Sequence, residues 1–251
     1  MLLKEKIMIS FIVCAFNEEN NIEETVLSIN EAVATSNYVK NYEIVIINDG
    51  SQDKTKEVIL ALQKKFNNII YLQNHKNLGY GQSLIKGLDS INYDKFMVIP
   101  GDNDLPKETI KIALKNMNKA DLVMLFPINT NNRSKVRNVV SILFNLMYLI
   151  FFDTYVNYIN APAVYPTKIV RNLKLKSNRF SIISEMITKL LHSDVTYCEI
   201  PAFFAPSLRK RRTVTLNNLI DVVSSFIKIY IDIKIINKDQ FIKNSKRINI
   251  Y

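Results

Sequence analysis

Two carboxylates stand one residue apart in the segment PGDNDLP (100–106), where Asp102 and Asp104 follow the apolar run KFMVI (95–99). Two chemistries fit this pattern. Asp is frequent in turns, where its side chain hydrogen-bonds the nearby backbone. A carboxylate pair can also hold a divalent cation beside a phosphate, because hard cations prefer oxygen ligands. The elements around the segment decide between an ordinary turn and a site.

Apolar runs alternate with helical patterns through the first half of the chain. We predict strands over 7–15, 43–47, 69–73, 95–99 and 121–126, and helices over about 20–34, 53–66, 80–91 and 107–117. This alternation is typical of βαβ units and predicts an α/β protein with a mostly parallel, Rossmann-like central sheet flanked by helices. Ligands of such sheets bind outside the carboxyl ends of the strands.

Acids, amides or glycines follow each of the first four predicted strands. These exits read AFNEENNIE (15–23), NDGSQDKT (48–55), NHKNLGYGQS (74–83) and GDNDLP (101–106). Each alone is ordinary turn and capping chemistry, and we expect Asp53 to cap the helix after it. The first exit has no glycine and no Walker P-loop is present, which disfavours dinucleotide-binding dehydrogenases and P-loop NTPases.

The second half is less regular. We predict a helix over 179–193, a strand over 195–201 and a final amphipathic helix near 217–236. Polar residues of that last helix recur three or four positions apart and form one stripe: Asp221, Ser225, Lys228 and Asp232. The uncharged run 138–152 is shorter than the roughly 20 apolar residues of a spanning helix. It fits either a buried helix or one packed on a membrane surface.

Composition narrows the class of protein. The 251 residues are 48% hydrophobic with a net charge of +10, and 205–251 alone holds ten Lys and Arg against three Asp. The positive electrostatic potential that this charge creates attracts anions. Cys14 and Cys198 stand alone in apolar contexts, as buried thiols do. Charged residues within the first six positions argue against a signal peptide, so we expect a cytoplasmic protein.

Taken together, the strand exits resemble the family 2 glycosyltransferases, and within them the polyprenyl-phosphate, dolichol-phosphate mannose synthase-like branch. The matching segments, in chain order, are ISFIVCAFNEENNIEETVLSI, YEIVIINDGSQDKT, NLGYGQSLIKGL, FMVIPGDNDLP and EIPAFFAPSLRKRRTVTLNNL. The resemblance covers about residues 7–220 and implies an A-type glycosyltransferase fold. It divides the chain into a catalytic domain at 1–215, with a nucleotide-sugar-binding half (1–126) and an acceptor half (127–215), and a basic amphipathic helix and tail at 216–251.

The resemblance also implies residue roles. A Mg²⁺ or Mn²⁺ ion would be held by Asp104, with Asp102 binding the metal or the sugar and ribose hydroxyls. The nucleoside pocket would be lined by four residues at the first two exits: Ala15, Phe16, Glu18 and Asp49. Asn160 is a candidate for sugar or acceptor contact. Pro106 stands where the lipid-phosphate branch often has Gln, which predicts a metal shell completed by water.

The acceptor decides whether a general base is needed. A hydroxyl nucleophile needs one, and Glu185 is the candidate, although it could instead pair with Lys189 four positions on. A phosphate acceptor is already ionised and needs none. Its ligands would be arginines, which bind phosphate bidentately. The candidates are Arg133, Arg137, Arg209, Arg211 and Arg212.

The leading hypothesis is an inverting glycosyltransferase that moves a sugar from a nucleotide diphosphate sugar to a lipid-linked acceptor, with polyprenyl phosphate favoured. It would act as a peripheral protein on the cytoplasmic face of the membrane. Two alternatives stay open: a hydroxyl acceptor in polysaccharide or lipopolysaccharide synthesis, and an anion- or membrane-binding protein without turnover. Nucleic acid is disfavoured because no stacking aromatics interleave with the basic run. A homo-oligomer also stays open.

Overall fold

A computed structural model of the protein describes residues 6–129, 135–179, 181–204 and 216–250, with the side chains of 135–137 and 216–221 excepted. Within these ranges, eight strands form one sheet: β1 (Ile7–Ala15), β2 (Val39–Asn48), β3 (Ile69–Gln73), β4 (Lys95–Pro100), β5 (Leu122–Pro127), β6 (Ala163–Pro166), β7 (Thr196–Ala202) and β8 (Lys246–Arg247). The described helices are α1 (Ile22–Ala34), α2 (Thr55–Lys65), α3 (Tyr80–Ser90), α4 (Lys107–Asn116), α5 (Lys135–Phe152), α6 (Thr167–Asn172), α7 (Ser181–Leu191) and α8 (Leu216–Ile231).

The spatial order of the strands is β3-β2-β1-β4-β6-β5-β7-β8. Neighbouring strands are parallel except β6, which runs antiparallel to both β4 and β5. The predicted A-type, mostly parallel fold is confirmed. The chain moves outward from β1 through β2 to β3 and then crosses back to β4 on the other side of β1. The carboxyl ends of β1 and β4 therefore border the switch point at which ligands of such sheets bind.

Apolar clusters cover both faces of the sheet, which explains why the central strands are continuous apolar runs. Along β1, Phe11 and Val13 face the cluster with α1, α2 and α4, whereas Ile12 and Cys14 face the cluster with α3, α5, α7 and α8. Both cysteines are buried free thiols, as predicted. Burial, reinforced by the charge of Asp49, raises the pKa of Cys14 far above its ordinary value, so this thiol stays neutral.

The sequence missed β6, α6 and β8. The segment around NAPAVYP (160–166) gives no strand signal, because a four-residue strand that ends in proline carries no alternating pattern. The segment forms a strand because it pairs with two strands that are distant in sequence: Val164 lies opposite Met97 of β4 and Val123 of β5. Strand β8 has only two residues and depends on pairing with Thr196 and Tyr197 at the start of β7.

Helix α5 is buried on one side only, so the fully buried alternative for 138–152 is wrong. Tyr148 and Phe152 lie in the core, while Ile142 and Ile150 are 64% and 63% exposed. Phe226 of α8 packs edge-on against the rings of Tyr148 and Phe152, at 5.3 and 5.4 Å between centroids. None of the helices within the described ranges combines the length and hydropathy that crossing a bilayer requires.

The polar stripe predicted for the last helix is wrong at its end. The α-helix ends at Ile231 and continues as one π-helical turn, Asp232–Ile236. Within the predicted stripe, Lys228 is exposed, whereas Asp232, the first residue of the π-turn, is buried with 1% of its surface accessible.

Candidate functional site

Backbone hydrogen bonds tie the strand exits together at one edge of the sheet. The amide of Asp49 donates to the carbonyl of Ala15 at 2.8 Å, and the amide of Gly101 donates to the carbonyl of Cys14 at 3.1 Å. A side chain at Gly101 would not fit, because its β-carbon would lie 2.8 Å from that carbonyl oxygen. The exits of β1, β2 and β4 therefore form one continuous surface.

The carboxylate pair lies in the turn between β4 and α4. Asp102 and Asp104 are partly exposed and flank Asn103, which adopts a left-handed φ of 55°. Asn tolerates that conformation better than most residues. The amide of Asp104 donates to Oδ1 of Asp102 at 3.2 Å, and Ser28 on α1 donates to Oδ1 of Asn103 at 3.4 Å. The turn is thus held from within and from α1, and its carboxylates stay accessible.

The donor set of this turn fits a divalent cation with few protein ligands. Pro106 is the N-cap of α4 and offers only its carbonyl, which already accepts from Thr109 at 2.9 Å. In the part of the chain that the structure describes, no cluster of three or more His, Cys, Asp or Glu could enclose a metal. Mg²⁺ is usually bound through one or two carboxylates, with phosphate oxygens and water completing the shell. Asp102 and Asp104 are such a pair.

The first two exits hydrogen-bond each other through their polar side chains. The amide of Asn17 donates to Ser51 at 2.9 Å, and the side-chain carbonyl of Asn17 accepts from the amide of Gln52 at the same distance. The amide of Glu18 donates to Oγ1 of Thr55 at 2.8 Å. Most polar residues of FNEE and NDGSQDKT therefore shape the two loops that border the proposed nucleoside pocket.

Asp53 accepts a hydrogen bond from the first amide of α2, although the N-cap residue itself is Lys54, one position later than expected. Its carboxylate accepts from the amide of Thr55 at 3.0 Å and from the amide of Glu19 at 3.2 Å. Burial alone would raise the pKa of Asp53, but the hydrogen bonds from Thr55 and Glu19 outweigh it and lower the pKa below its ordinary value.

Asp49 is buried and holds the loop after β3. Its Oδ1 accepts from the side chain of Asn74 at 2.8 Å and the amide of Leu78 at 2.9 Å, and its Oδ2 accepts from the amide of Gly79 at 2.9 Å. The expected contact of Asp49 with a nucleobase or ribose stays a prediction. What its contacts establish is that Asp49 fixes segment 74–79, which we call the donor loop. Asn74 was missed as a site residue, although it directly follows β3.

The remaining predicted nucleotide-sugar residues lie at the same edge of the sheet. Ala15 and Glu18 are buried and Phe16 is partly exposed at the exit of β1. Asn160 precedes β6, whose antiparallel register brings Ala163 towards the carboxyl end of β4. The side-chain oxygen of Asn160 is buried and has no hydrogen-bond partner within the described ranges.

Glu185 is fully buried and its carboxylate is occupied. Its oxygens accept from the amides of Lys176 and Ser177, at 2.9 and 2.8 Å, and from Nζ of Lys189 at 2.7 Å. This is the ion-paired alternative that the sequence left open. A carboxylate in this position cannot approach an acceptor hydroxyl without breaking those bonds.

The predicted acceptor arginines are not located. Arg133, Arg209, Arg211 and Arg212 lie outside the described residues, and so does the side chain of Arg137. Their proposed contact with an acceptor phosphate stays a prediction.

Comparison with known proteins agrees with this geometry. The sequence profile of glycosyl transferase family 2 matches residues 10–176. "Dolichyl-phosphate beta-glucosyltransferase ALG5D" of Trichomonas vaginalis is 26% identical over 161 residues, which cover 59% of this chain and 49% of that protein. "Poly-beta-1,6-N-acetyl-D-glucosamine synthase" of Staphylococcus aureus is 32% identical over 108 residues, which cover 43% of this chain and 25% of that protein. The chain therefore spans half or less of the length of these curated relatives.

Among solved structures, glucosyl-3-phosphoglycerate synthase from Mycobacterium tuberculosis, in complex with Mn²⁺, uridine diphosphate and phosphoglyceric acid, superposes with a TM-score of 0.61. The match covers 89% of this chain and 78% of that one at 15% sequence identity, so it establishes similarity of fold. Because the family profile covers well over half of the sequence, this chain belongs to glycosyl transferase family 2.

Proposed function

We propose that the protein transfers a sugar, with inversion, from a nucleotide diphosphate sugar to a polyprenyl phosphate at the cytoplasmic face of the membrane. The observation that carries this proposal is the pair Asp102 and Asp104 at the switch point beside the exits of β1 and β2. Family membership and the dolichyl-phosphate relative support the same donor and acceptor chemistry.

On the donor side, Asp102 and Asp104 would hold Mg²⁺ or Mn²⁺. The bound cation would act as a Lewis acid that stabilises the negative charge left on the diphosphate when the sugar departs. The chain's own contribution is orientation. The loops at the exits of β1 and β2 border the nucleoside, and Asn160 contacts the sugar or the acceptor.

On the acceptor side, the buried state of Glu185 favours phosphate over hydroxyl. Attack by a hydroxyl needs a positioned base within hydrogen-bond reach of its proton. Glu185 is engaged with Lys176, Ser177 and Lys189 instead. A phosphate oxygen attacks the anomeric carbon as an anion and leaves no proton to remove. The basic residues at 133–137 and 209–212 would neutralise its charge.

The membrane side of this proposal is supported by an exposed apolar face on α5 and α8. Large apolar side chains of α5 are 44–63% exposed in one stripe: Val139, Leu143, Leu146 and Ile150. A second stripe continues along α8 and the π-turn: Val223, Ile227, Ile231 and Ile235. Phe151, itself 47% exposed, bridges the two helices by packing on Phe226 and Tyr230. Contiguous exposed apolar surface of this kind marks an interaction site.

We assign this apolar face to the surface of a bilayer that carries anionic lipid. Basic clusters stand at or before the start of both helices in the sequence, at 133–137 around the first residues of α5 and at 209–212 before α8, and Lys228 lies exposed on α8. Basic residues near anionic headgroups contribute about 1 kcal/mol each. Asn145 of α5 also hydrogen-bonds the backbone of Asn157 and Ile159, at 2.8 and 3.1 Å, which links the face to the loop of Asn160. A membrane-embedded acceptor would thereby meet the catalytic edge.

The reaction is tested with a panel of UDP-, GDP- and dTDP-sugars, Mn²⁺ or Mg²⁺, and either polyprenyl phosphate or hydroxyl-bearing glycan acceptors. We expect a polyprenyl-phosphate sugar as product, of inverted anomeric configuration. Transfer to a hydroxyl acceptor alone would refute the choice of acceptor. Absence of turnover and of nucleotide binding with every donor would refute the proposal as a whole.

The membrane face is tested by vesicle sedimentation. Ile150→Glu and Ile227→Glu should abolish binding to vesicles that contain phosphatidylglycerol, whereas Leu60→Glu, a matched exposed apolar position on α2, should not. Binding that is equal for all three variants, or a stable dimer that Ile150→Glu dissociates, would refute the assignment.

A further inference from the structure

Four charged side chains form a buried cluster where α7 meets the C-terminal segment. Lys189 pairs with Glu185 and with Asp232, each at 2.7 Å, and Lys176 pairs with the other oxygen of Asp232. Glu185 and Lys189 are fully buried, Asp232 is 1% exposed, and only the side chain of Lys176 reaches solvent. Two carboxylates thus balance two ammonium groups in the interior. We call this set the charge cluster.

The charge cluster fixes the backbone of 174–178, the segment that precedes α7. Nζ of Lys189 donates to the carbonyl of Lys174 at 2.6 Å. The amides of Lys176 and Ser177 donate to Glu185. Because buried charges are costly unless every partner is in place, segment 174–178 cannot relax without leaving Glu185 or Lys189 unsatisfied.

The opposite side of this segment supports the donor loop and the start of α3. The carbonyl of Asn178 accepts from the amide of Gly81 at 2.9 Å, and the side chain of Asn178 accepts from Gln82 at 2.6 Å. The backbones of Gly79 and Asn178 lie so close together that a β-carbon at Gly79 would be 2.8 Å from the carbonyl oxygen of Asn178. Gly79 has a left-handed φ of 92°, which glycine adopts without strain.

The same Gly79 is held from the site by Asp49, which accepts its amide proton at 2.9 Å. A continuous set of contacts therefore runs from the β2 exit through Gly79 and Asn178 to Lys176 and Asp232 in the C-terminal segment. This set of contacts does not include Asp102 or Asp104, the carboxylate pair in the turn after β4.

We propose that Asp232 is a positioning residue for the nucleotide donor, acting through Lys176 and Lys189 on segment 174–178, and through that segment on the donor loop. This inference rests on the proposed donor site and adds to it that the C-terminal π-turn is an integral part of that site. Without Asp232, Lys189 loses one of its two carboxylates, and Lys176 loses the ion pair that it forms among the described residues. On the α7 side, segment 174–178 is then held only by Glu185 and by the bond from Lys189 to Lys174, with two ammonium groups facing one carboxylate.

The test compares Asp232→Asn and the milder Lys176→Met with a matched control, Asp121→Asn. Asp121 also holds backbone through a partly buried carboxylate, accepting from the amide and hydroxyl of Thr196 at 2.8 and 2.7 Å, but it precedes β5 at the opposite end of the sheet. Three quantities are measured on each protein: hydrogen exchange of peptides spanning 74–83, dissociation constants for UDP, GDP and dTDP with Mn²⁺ by calorimetry, and kcat at saturating donor.

We expect both cluster variants to exchange at least tenfold faster at 74–83 and to bind the preferred nucleotide at least fivefold more weakly, with kcat at saturating donor little changed. The control should lose stability without either effect. Wild-type exchange at 74–83 in Lys176→Met would overturn the inference, even if Asp232→Asn fails to fold. Faster exchange with wild-type affinity would also overturn it. If wild-type protein binds none of the nucleotides, the proposed function fails, and the exchange data alone decide whether Asp232 orders the loop.

Discussion

Replacing Glu185 by Gln distinguishes a structural carboxylate from a catalytic one. The side chains are isosteric, so the change removes charge without creating a cavity. Glu185 is completely buried and accepts hydrogen bonds from two amides and from Lys189. The substitution removes one of the two ionic partners of Lys189 and presents an NH₂ group to one of the three donors that Glu185 accepts from.

Breaking a buried ion pair from one side costs about 3–5 kcal/mol, because the remaining charge stays buried. Asp232 still neutralises Lys189 in the variant, which places the expected loss at the lower end, about 3 kcal/mol. For a chain of about 250 residues, 1 kcal/mol corresponds to roughly 2–4 °C in Tm, so the midpoint should fall by roughly 6–12 °C.

The assay pairs guanidinium unfolding, followed by circular dichroism, with donor turnover measured well below the midpoint of the variant. We expect a clear loss of stability and a kcat at saturating donor within about tenfold of wild type. A general base contributes about 10²–10⁴-fold. Glu31→Gln is the control, because Glu31 pairs with Lys107 at the surface and should affect neither quantity. A kcat reduced 100-fold or more at unchanged stability would show that Glu185 is the base and refute the reasoning.

Three further predictions follow from the site and the charge cluster. Asp102→Asn and Asp104→Asn should each lower kcat/KM by about 100-fold, since metal stabilisation of the leaving group contributes several kcal/mol. Tm should change little. If either variant reached the wild-type rate at any Mn²⁺ concentration in a titration, this prediction would be contradicted. Gly81→Ala should weaken nucleotide binding, because its β-carbon would overlap the carbonyl oxygen of Ser177 and lie 2.6 Å from the carbonyl carbon of Asn178. Gly87→Ala is its control, because there the new β-carbon would meet side chains rather than backbone, with Cγ2 of Ile12 and Cδ1 of Ile47 each at 2.7 Å; equal effects of the two variants on the dissociation constant would argue against the close backbone approach. Burial would raise the pKa of Asp232, but the hydrogen bonds from Lys176 and Lys189 outweigh it and lower the pKa below 3.8. The stabilisation by Asp232 is therefore complete above about pH 4 and lost as pH falls through the lowered folded-state pKa. The difference in unfolding free energy between wild type and Asp232→Asn should be constant from about pH 5 to 7 and shrink below about 4; a difference independent of pH down to 3 would contradict the ion pairing.

The first half of the fold was predictable because its signals are local. Strands covered on both faces are apolar runs, and the polar residues after them mark the carboxyl edge of a parallel sheet. The position of Asp102 and Asp104 at this edge could therefore be predicted from the sequence. The uncharged run 138–152 likewise indicated α5, and the amphipathic pattern near 217–236 indicated α8, although the uncharged run could not say which face of α5 would be exposed.

The rest could not be predicted because its determinants are distant in sequence. Glu185 finds its amide partners eight and nine residues earlier, whereas Asp232 meets Lys176 across 56 residues. The π-turn that begins at the buried Asp232 has no recognisable sequence pattern. Asp49 was expected to face the nucleotide, and only the folded chain reveals that it holds the donor loop.

The central claim is that the strand exits form a metal-dependent nucleotide-diphosphate site around Asp102 and Asp104. Its most direct measurement is calorimetric titration of UDP, GDP and dTDP into wild-type protein and Asp104→Asn, each with and without Mn²⁺. We predict that one nucleotide binds wild type at least tenfold more tightly with Mn²⁺, and that Asp104→Asn loses this enhancement. Binding that ignores Mn²⁺, or an enhancement that survives Asp104→Asn, would contradict the account.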